Sequence, residues 1–123
     1  MLFDDAVMCV ALDRLDLFGR EPDVLEKYDE YKKVLASNGI NVNDVILNKM
    51  NGASAKWMRN EFPYDVKGTE HYLVWSTRPL DIEVVQDIAR KRVGGREFLC
   101  FVNPDNLQSV KNVWHAHVLV NME

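Results

Sequence analysis

Apolar residues recur at Ala6, Val7, Val10, Ala11, Leu15 and Phe18, the spacing of one helix face, so the pattern predicts a helix over 2–18 with Gly19 as its stop. The stretch REPDVLEKYDEYKKVLASNG repeats the signal at Leu25, Tyr28, Tyr31 and Leu35, widened by Val24 and Val34. Pro22 suits a first turn, Asp23 and Glu26 meet the positive end of the helix dipole, and Asn38-Gly39 closes the element. A third, shorter helix uses Asn43 as its cap and Val45, Ile46, Leu47 and Met50 as its apolar side, ending at Asn51-Gly52. SAKWMRNEF reads as a further helical turn or two held by Trp57, and PYDVKG as a loop.

The period then changes from about four to two. EHYLVWS alternates His71, Leu73 and Trp75 against Tyr72, Val74 and Ser76, a strand pattern. TRPLDIEVVQDIARKRVGG returns to helix: Pro79 fits its first turn, Arg90, Lys91 and Arg92 its end, and Ile82, Val85, Ile88 and Ala89 its buried side. REFLCFV is almost unbroken apolar sequence and reads as a central strand. NPDNLQSVKN is a loop long enough to be a functional one, and VWHAHVLV is the last strand. A full helix between EHYLVWS and REFLCFV allows those strands to be parallel, with VWHAHVLV antiparallel to the second. The expected fold is α+β, with N-terminal helices packed on a small mixed sheet and a C-terminal β-α-β-β unit. One domain is expected over 1–123, its helical layer over about 2–60 and its sheet over about 69–121.

Composition narrows this only modestly. The chain has 123 residues, 47% hydrophobic and 28% charged, enough for one core. The net charge is −4, and the acidic excess lies in residues 1–50, with six Lys/Arg against ten Asp/Glu. Such a balance makes nucleic acid the less favoured partner. Cys9 and Cys100 sit in apolar surroundings without CxxC spacing, which predicts free thiols in a reducing compartment. The first residues are acidic where a secretory signal is basic, and no apolar run reaches the ~20 residues of a membrane span. A cytoplasmic or nuclear protein with no membrane association is expected.

The candidate chemistry centres on the closing HAHVLV. Residues i and i+2 of a strand share a face, so His115 and His117 point the same way, with Val113 and Leu119. Trp114, Ala116, Val118 and Val120 take the opposite side, the more apolar one and the one expected to pack on helices. His71 is the third histidine and also lies at a strand position. Three converging histidines would suit zinc with an open fourth position, but only two share a geometric argument, so no metal and no cofactor is expected. The other reading is a pair lining a half-buried sheet face and bonding to loop groups. The alternation superficially resembles the histidine-triad nucleotide hydrolases, with two histidines rather than three and no glycine-rich phosphate loop.

The loop preceding that strand is polar: Asn103, Asp105, Asn106, Gln108 and Ser109 surround Pro104. Its Asn and Asp suit turn chemistry as well as a sugar or nucleotide ligand. Trp75 and Trp114 read as core or as stacking platforms. Glu70 and His71 are adjacent in a strand and point apart. The basic run RKRVGGR fits a helix C-terminus or a phosphate site. No phosphate-binding glycine loop, nucleophile elbow or zinc-protease signature occurs.

Several motifs resemble the fungal N-acetylglucosamine-induced protein 1-like family, a domain of unknown function. They are Leu-Asp-Leu-Phe with Arg20 and Tyr28, Pro63-Tyr64, Glu70-His71 leading to Trp75, Asn103-Pro104, Gln108-Ser109, and Trp114-His115-x-His117-Val118. The resemblance covers residue 12 onward. It implies no catalytic residues, because the family's name records induction by a sugar rather than a reaction.

The expected site is a polar patch of His71, Asn103, Gln108, Ser109, His115 and His117. Two functions fit it: a non-catalytic binding or adaptor protein, or a small hydrolase or metal-dependent enzyme acting on a sugar or nucleotide through His115 or His117. The partner is an unidentified protein or small molecule. A homodimer is open if VWHAHVLV is an edge strand.

Overall fold

A computed structural model describes residues 1–108 and 110–123. The element order is α1 (Phe3–Ala11), α2 (Pro22–Ser37), α3 (Val42–Met50), β1 (Ala55–Arg59), β2 (Thr69–Ser76), α4 (Ile82–Arg90), β3 (Phe98–Phe101) and β4 (Trp114–Asn121). Short 3-10 turns cover Leu15–Leu17 and Asp105–Leu107. The fold is α+β, with three helices before the sheet and one within it.

The sheet order is β1-β2-β4-β3 and every pairing is antiparallel, which corrects the mixed sheet expected from the helical crossover. β2 and β3 do run in the same direction. β4 inserts between them and is antiparallel to both, so the crossover spans a gap of one strand rather than making a parallel pair. β4 is therefore central, and its two edges are already paired, which closes it as a route to strand-mediated dimerisation.

Three local readings also change. SAKWMRNEF is not helical: Ala55–Arg59 form edge strand β1, where Trp57 stacks on Tyr72 at 4.7 Å between ring centroids. Tertiary pairing thus overrides its helix-compatible composition. REFLCFV forms an edge strand rather than a central one. It is apolar throughout because both its faces are covered, Phe98 and Cys100 by the α4 side and Leu99 and Phe101 by the other. Helix α3 is capped by Asn41, whose side chain accepts the Asn43 N–H at 2.8 Å, so the cap lies two residues before the expected Asn43. Asn51 ends the helix in the left-handed region at φ 51°, a conformation Asn tolerates.

The expected helix over 2–18 stops at Ala11, because Asp13 turns left-handed at φ 54°, and a separate 3-10 turn carries Leu15. α2 contributes no fully buried residue; Val24, Tyr28, Tyr31 and Leu35 are half-buried and Leu25 is exposed. In α4 the buried side holds Val85 and Ala89, with Ile88 half-buried. Ile82 is exposed and Asp81 sits at the N-cap, so Pro79 precedes the helix.

Layering follows from strand alternation. Val74, Ala116, Val118 and Val120 face α4, where they meet Val85, Ala89 and Val93. Each buried valine among them contributes about 1.5–3 kcal/mol. The opposite face carries His71, Leu73, Trp75, His115, His117 and Leu119. Ile46, Met50, Val110 and Val113 cover its Trp75 end. Ala6, Val66, Phe101 and flanking Phe18 and Tyr64 cover its Leu119 end. The expectation that the even-numbered residues of β4 pack on helix holds, but the histidine face is covered as well. His71, His115 and His117 are only 2–6% exposed rather than half-buried. A buried polar side chain is costly unless bonded, so these three need partners.

Candidate functional site

Strand register brings the histidines together. β2 and β4 pair Leu73 with His117, His71 with Leu119 and Trp75 with His115. His71 and His117 are thus diagonal neighbours on one face, close enough for ring contact. His71 Nε2 lies 2.8 Å from His117 Nδ1. His115 lies tilted against Trp75 at 4.5 Å and stands edge-on to His117 at 5.3 Å. On its other side His117 packs flat against Phe101 at 5.1 Å and Tyr64 at 5.4 Å.

Hydrogen bonding determines where each proton sits. The backbone N–H of Tyr64 donates to His71 Nδ1 at 3.1 Å. Nδ1 of His71 is therefore the bare nitrogen, and its proton is on Nε2. Nε2–H donates to His117 Nδ1, which puts the His117 proton on Nε2. Asn60 supports the first step, its Oδ1 accepting Phe62 N–H and its amide nitrogen facing His71. Burial holds both rings neutral: it pushes His71 down to about 3 and His117 well below its ordinary value, with Arg20 adding to both shifts. Burial also lowers His115, whose Nδ1–H donates to the Val113 carbonyl at 3.3 Å. Its Nε2 then carries a lone pair with no partner among the described residues.

The relay ends at Asn103, 4% exposed. Its amide nitrogen is placed 3.2 Å from His117 Nε2 and 2.9 Å from Tyr64 Oη, and its Oδ1 is buried without a partner among the described residues. That orientation sets two N–H donors against each other, because His117 Nε2 holds the proton. Amide oxygen and nitrogen have nearly the same shape, and the network decides between them. We assign the reversed orientation, in which Oδ1 accepts from both His117 Nε2–H and Tyr64 Oη–H. The amide atom at the position where Oδ1 finds no donor is then the nitrogen, an N–H2 donor.

These side chains wall a pocket of about 110 Å³ between the sheet, α2, α3 and the loop after β1. Arg20, Tyr28, Tyr31, Trp75, Tyr64 and Met58 line it together with Asn103, His115 and His117. Arg20 is fixed by donating Nε–H to the Phe62 carbonyl at 2.7 Å and by lying over the rings of Tyr28 and Tyr64 at 4.4 and 5.1 Å.

Of the six expected site residues, His71, Asn103 and His117 form one bonded chain, and His115 flanks it. Gln108 acts from behind, donating Nε2–H to the Asn103 carbonyl at 2.8 Å. Ser109 lies outside the described residues. Glu70 points to the other face, where it pairs with Arg59, as strand alternation requires. Trp75 is core on one side and pocket wall on the other. Sequence reasoning missed Tyr64, Arg20 and Asn60. Pro63-Tyr64 and Arg20 stood among the resemblance motifs, and that was the available signal. Among the described residues, no group of three or more His, Cys, Asp or Glu is arranged to hold a metal ion. Cys9 and Cys100 are free thiols, and among the described residues no helix is long and apolar enough to cross a membrane.

Fold and site together define an α+β protein with a buried histidine–asparagine relay beneath a small pocket. The chain belongs to the family described as Protein of unknown function (DUF3605), which matches residues 3–121. It is similar to the Saccharomyces cerevisiae uncharacterized protein YPL067C, 30% identical over 138 aligned positions that cover 82% of this chain and 69% of the relative. It is also similar to the crystal structure of HTC1, with a TM-score of 0.76 at 25% identity, covering 98% of this chain and 85% of that one.

Proposed function

We propose that the protein is a non-catalytic binding protein whose pocket takes a small molecule. The observation that carries this reading is the pocket wall itself. Costly buried polar groups are ordered around a concavity, and the Asn103 amide has one atom without a partner among the described residues. A purely structural network would be expected to close on itself.

The hydrolase reading is narrowed rather than favoured. A general base needs a free lone pair and an affinity for protons near the working pH. His71 has spent its lone pair on the Tyr64 N–H, and His117 has spent its own on the His71 Nε2–H. His115 alone keeps one. The resemblance to the N-acetylglucosamine-induced protein 1-like family joins this proposal as a name for an inducer, and the free thiols support a cytoplasmic or nuclear setting.

The test is a two-dimensional amide spectrum recorded against a panel of small metabolites. Binding here shifts the Trp75 indole and the Arg20 Nε–H together. If no compound moves them, or shifts scatter over the surface, the pocket reading fails.

A further inference from the structure

Resting on that pocket reading, we propose that the occupant is a small molecule carrying an oxyanion, a carboxylate or a phosphate, which Arg20 receives with the free amide N–H of Asn103 as a second donor.

The charge lining the pocket points this way. Arg20 and Lys49 face it with Glu61 as the single carboxylate, while Arg59 lines its edge from β1 and turns its guanidinium to Glu70 on the other face, in a chain whose net charge is −4. A cationic concavity on an acidic protein attracts anions locally while the rest of the surface repels them. Lys49 and Arg59 already have carboxylate partners in Glu61 and Glu70. Arg20 has none among the described residues.

Arg20 is also preorganised. Its Nε–H is committed to Phe62, and two tyrosine rings hold the guanidinium. The terminal nitrogens make no hydrogen bond to a described residue, and that is the fork that grips a carboxylate or phosphate through two parallel bonds. Held this way, the half-buried guanidinium presents its free terminal nitrogens to the pocket ready for an anion.

Asn103 supplies the independent second observation. It is 4% exposed, its Oδ1 as placed has no partner among the described residues, and the proton order of the relay puts the nitrogen at that position. An N–H2 at that position offers its hydrogens to an oxygen, as the Arg20 fork does.

Size limits the rest of the ligand. A cavity of ~150 Å³ admits benzene, so a pocket of about 110 Å³ takes a head group of comparable or smaller size rather than a whole nucleotide. Trp75, Met58 and Ile46 give that head an apolar wall.

The experiment compares acetate with its neutral isostere acetamide by calorimetry, with inorganic phosphate as the second anion. Acetate is expected to bind at least about tenfold more tightly than acetamide, the usual strength of charge-assisted bonds. Arg20→Gln should abolish that preference, and Asn103→Asp, which keeps the acceptor for His117 but turns the other amide position anionic, should do the same. Arg20→Lys keeps charge without the fork and should lose part of the preference, which leaves the proposal testable if Arg20→Gln does not fold. Acetate binding better than phosphate would assign the carboxylate class, and the reverse the phosphate class. Equal binding of acetate and acetamide, or a preference that survives Arg20→Gln, would overturn the anion proposal and leave the pocket reading standing. If none of the three compounds binds, both fall.

Discussion

His71 and His117, 46 residues apart in the chain, share one proton-ordered contact of 2.8 Å between Nε2 and Nδ1 in the middle of the sheet. Neither ring has room or solvent for a charge. Both are pushed down by burial, His71 to about 3, and each is further disfavoured as a cation by Arg20 nearby. In the unfolded chain both titrate near 6.5. A histidine depressed on folding contributes stability that is fully present above the unfolded value and lost as pH falls below it, because the unfolded state then binds more protons. Stability should hold from pH 8 to 7 and fall below about pH 6.5, with a limiting slope of about 1.4 kcal/mol per pH unit for each histidine kept neutral. Urea midpoints measured at intervals across that range check this. The charged groups facing the pair are few: Arg20 from the segment before α2, and His115 from β4.

Removing one ring strands the other. His117→Leu leaves the His71 Nε2–H buried without an acceptor and should cost about 1–3 kcal/mol. His71→Leu strands the Tyr64 N–H and His117 Nδ1 and should cost a similar amount. The double variant should cost less than the two added together, by about 0.5–3 kcal/mol, since residues in one network couple. Additive costs in a double-mutant cycle would mean that the 2.8 Å contact carries no energy.

Core and helix surface should separate cleanly. Leu119 is fully buried beside the relay, and Leu119→Ala should destabilise by about 2–5 kcal/mol. Leu25, which the helical stripe placed on the buried side, is 44% exposed, and Leu25→Ala should stay within about 0.5 kcal/mol. Thermal unfolding of the two variants checks the pair.

Cys100 is held as a thiol. Burial pushes it up to about 12, so almost no thiolate exists at pH 8. Its reaction with a disulfide reagent should be slow in the folded protein and become fast in urea, tracking unfolding. Fast labelling of native Cys100 at pH 8 would contradict its placement under α4.

How much of this was legible beforehand depends on range. The face shared by His115 and His117, and the opposite face of Ala116 and Val118, followed from two-residue alternation alone. The same logic separated Glu70 from His71. What alternation lacks is strand order. The insertion of β4 between β2 and β3 brings His71 beside His117, and that choice is made by long-range packing. Trp57 misled for a related reason: SAKWMRNEF has no clear period, and only pairing with β2 makes it a strand. Tyr64 and Arg20 come from loops, where no periodicity exists to reveal a direction. Asn103 was visible as a polar residue after a strand, but turn chemistry explained it equally well until its amide was found against His117.

The proton order of the relay is the premise on which the free amide donor rests, and side-chain nitrogen resonances report it directly. A long-range proton–nitrogen correlation spectrum of histidine-labelled protein at pH 7.5 should show three neutral rings. His71 and His117 should carry the proton on Nε2 and His115 on Nδ1. A cationic pattern at His71 or His117, or a His117 proton on Nδ1, would break the chain from Tyr64 N–H to Asn103 and contradict the account.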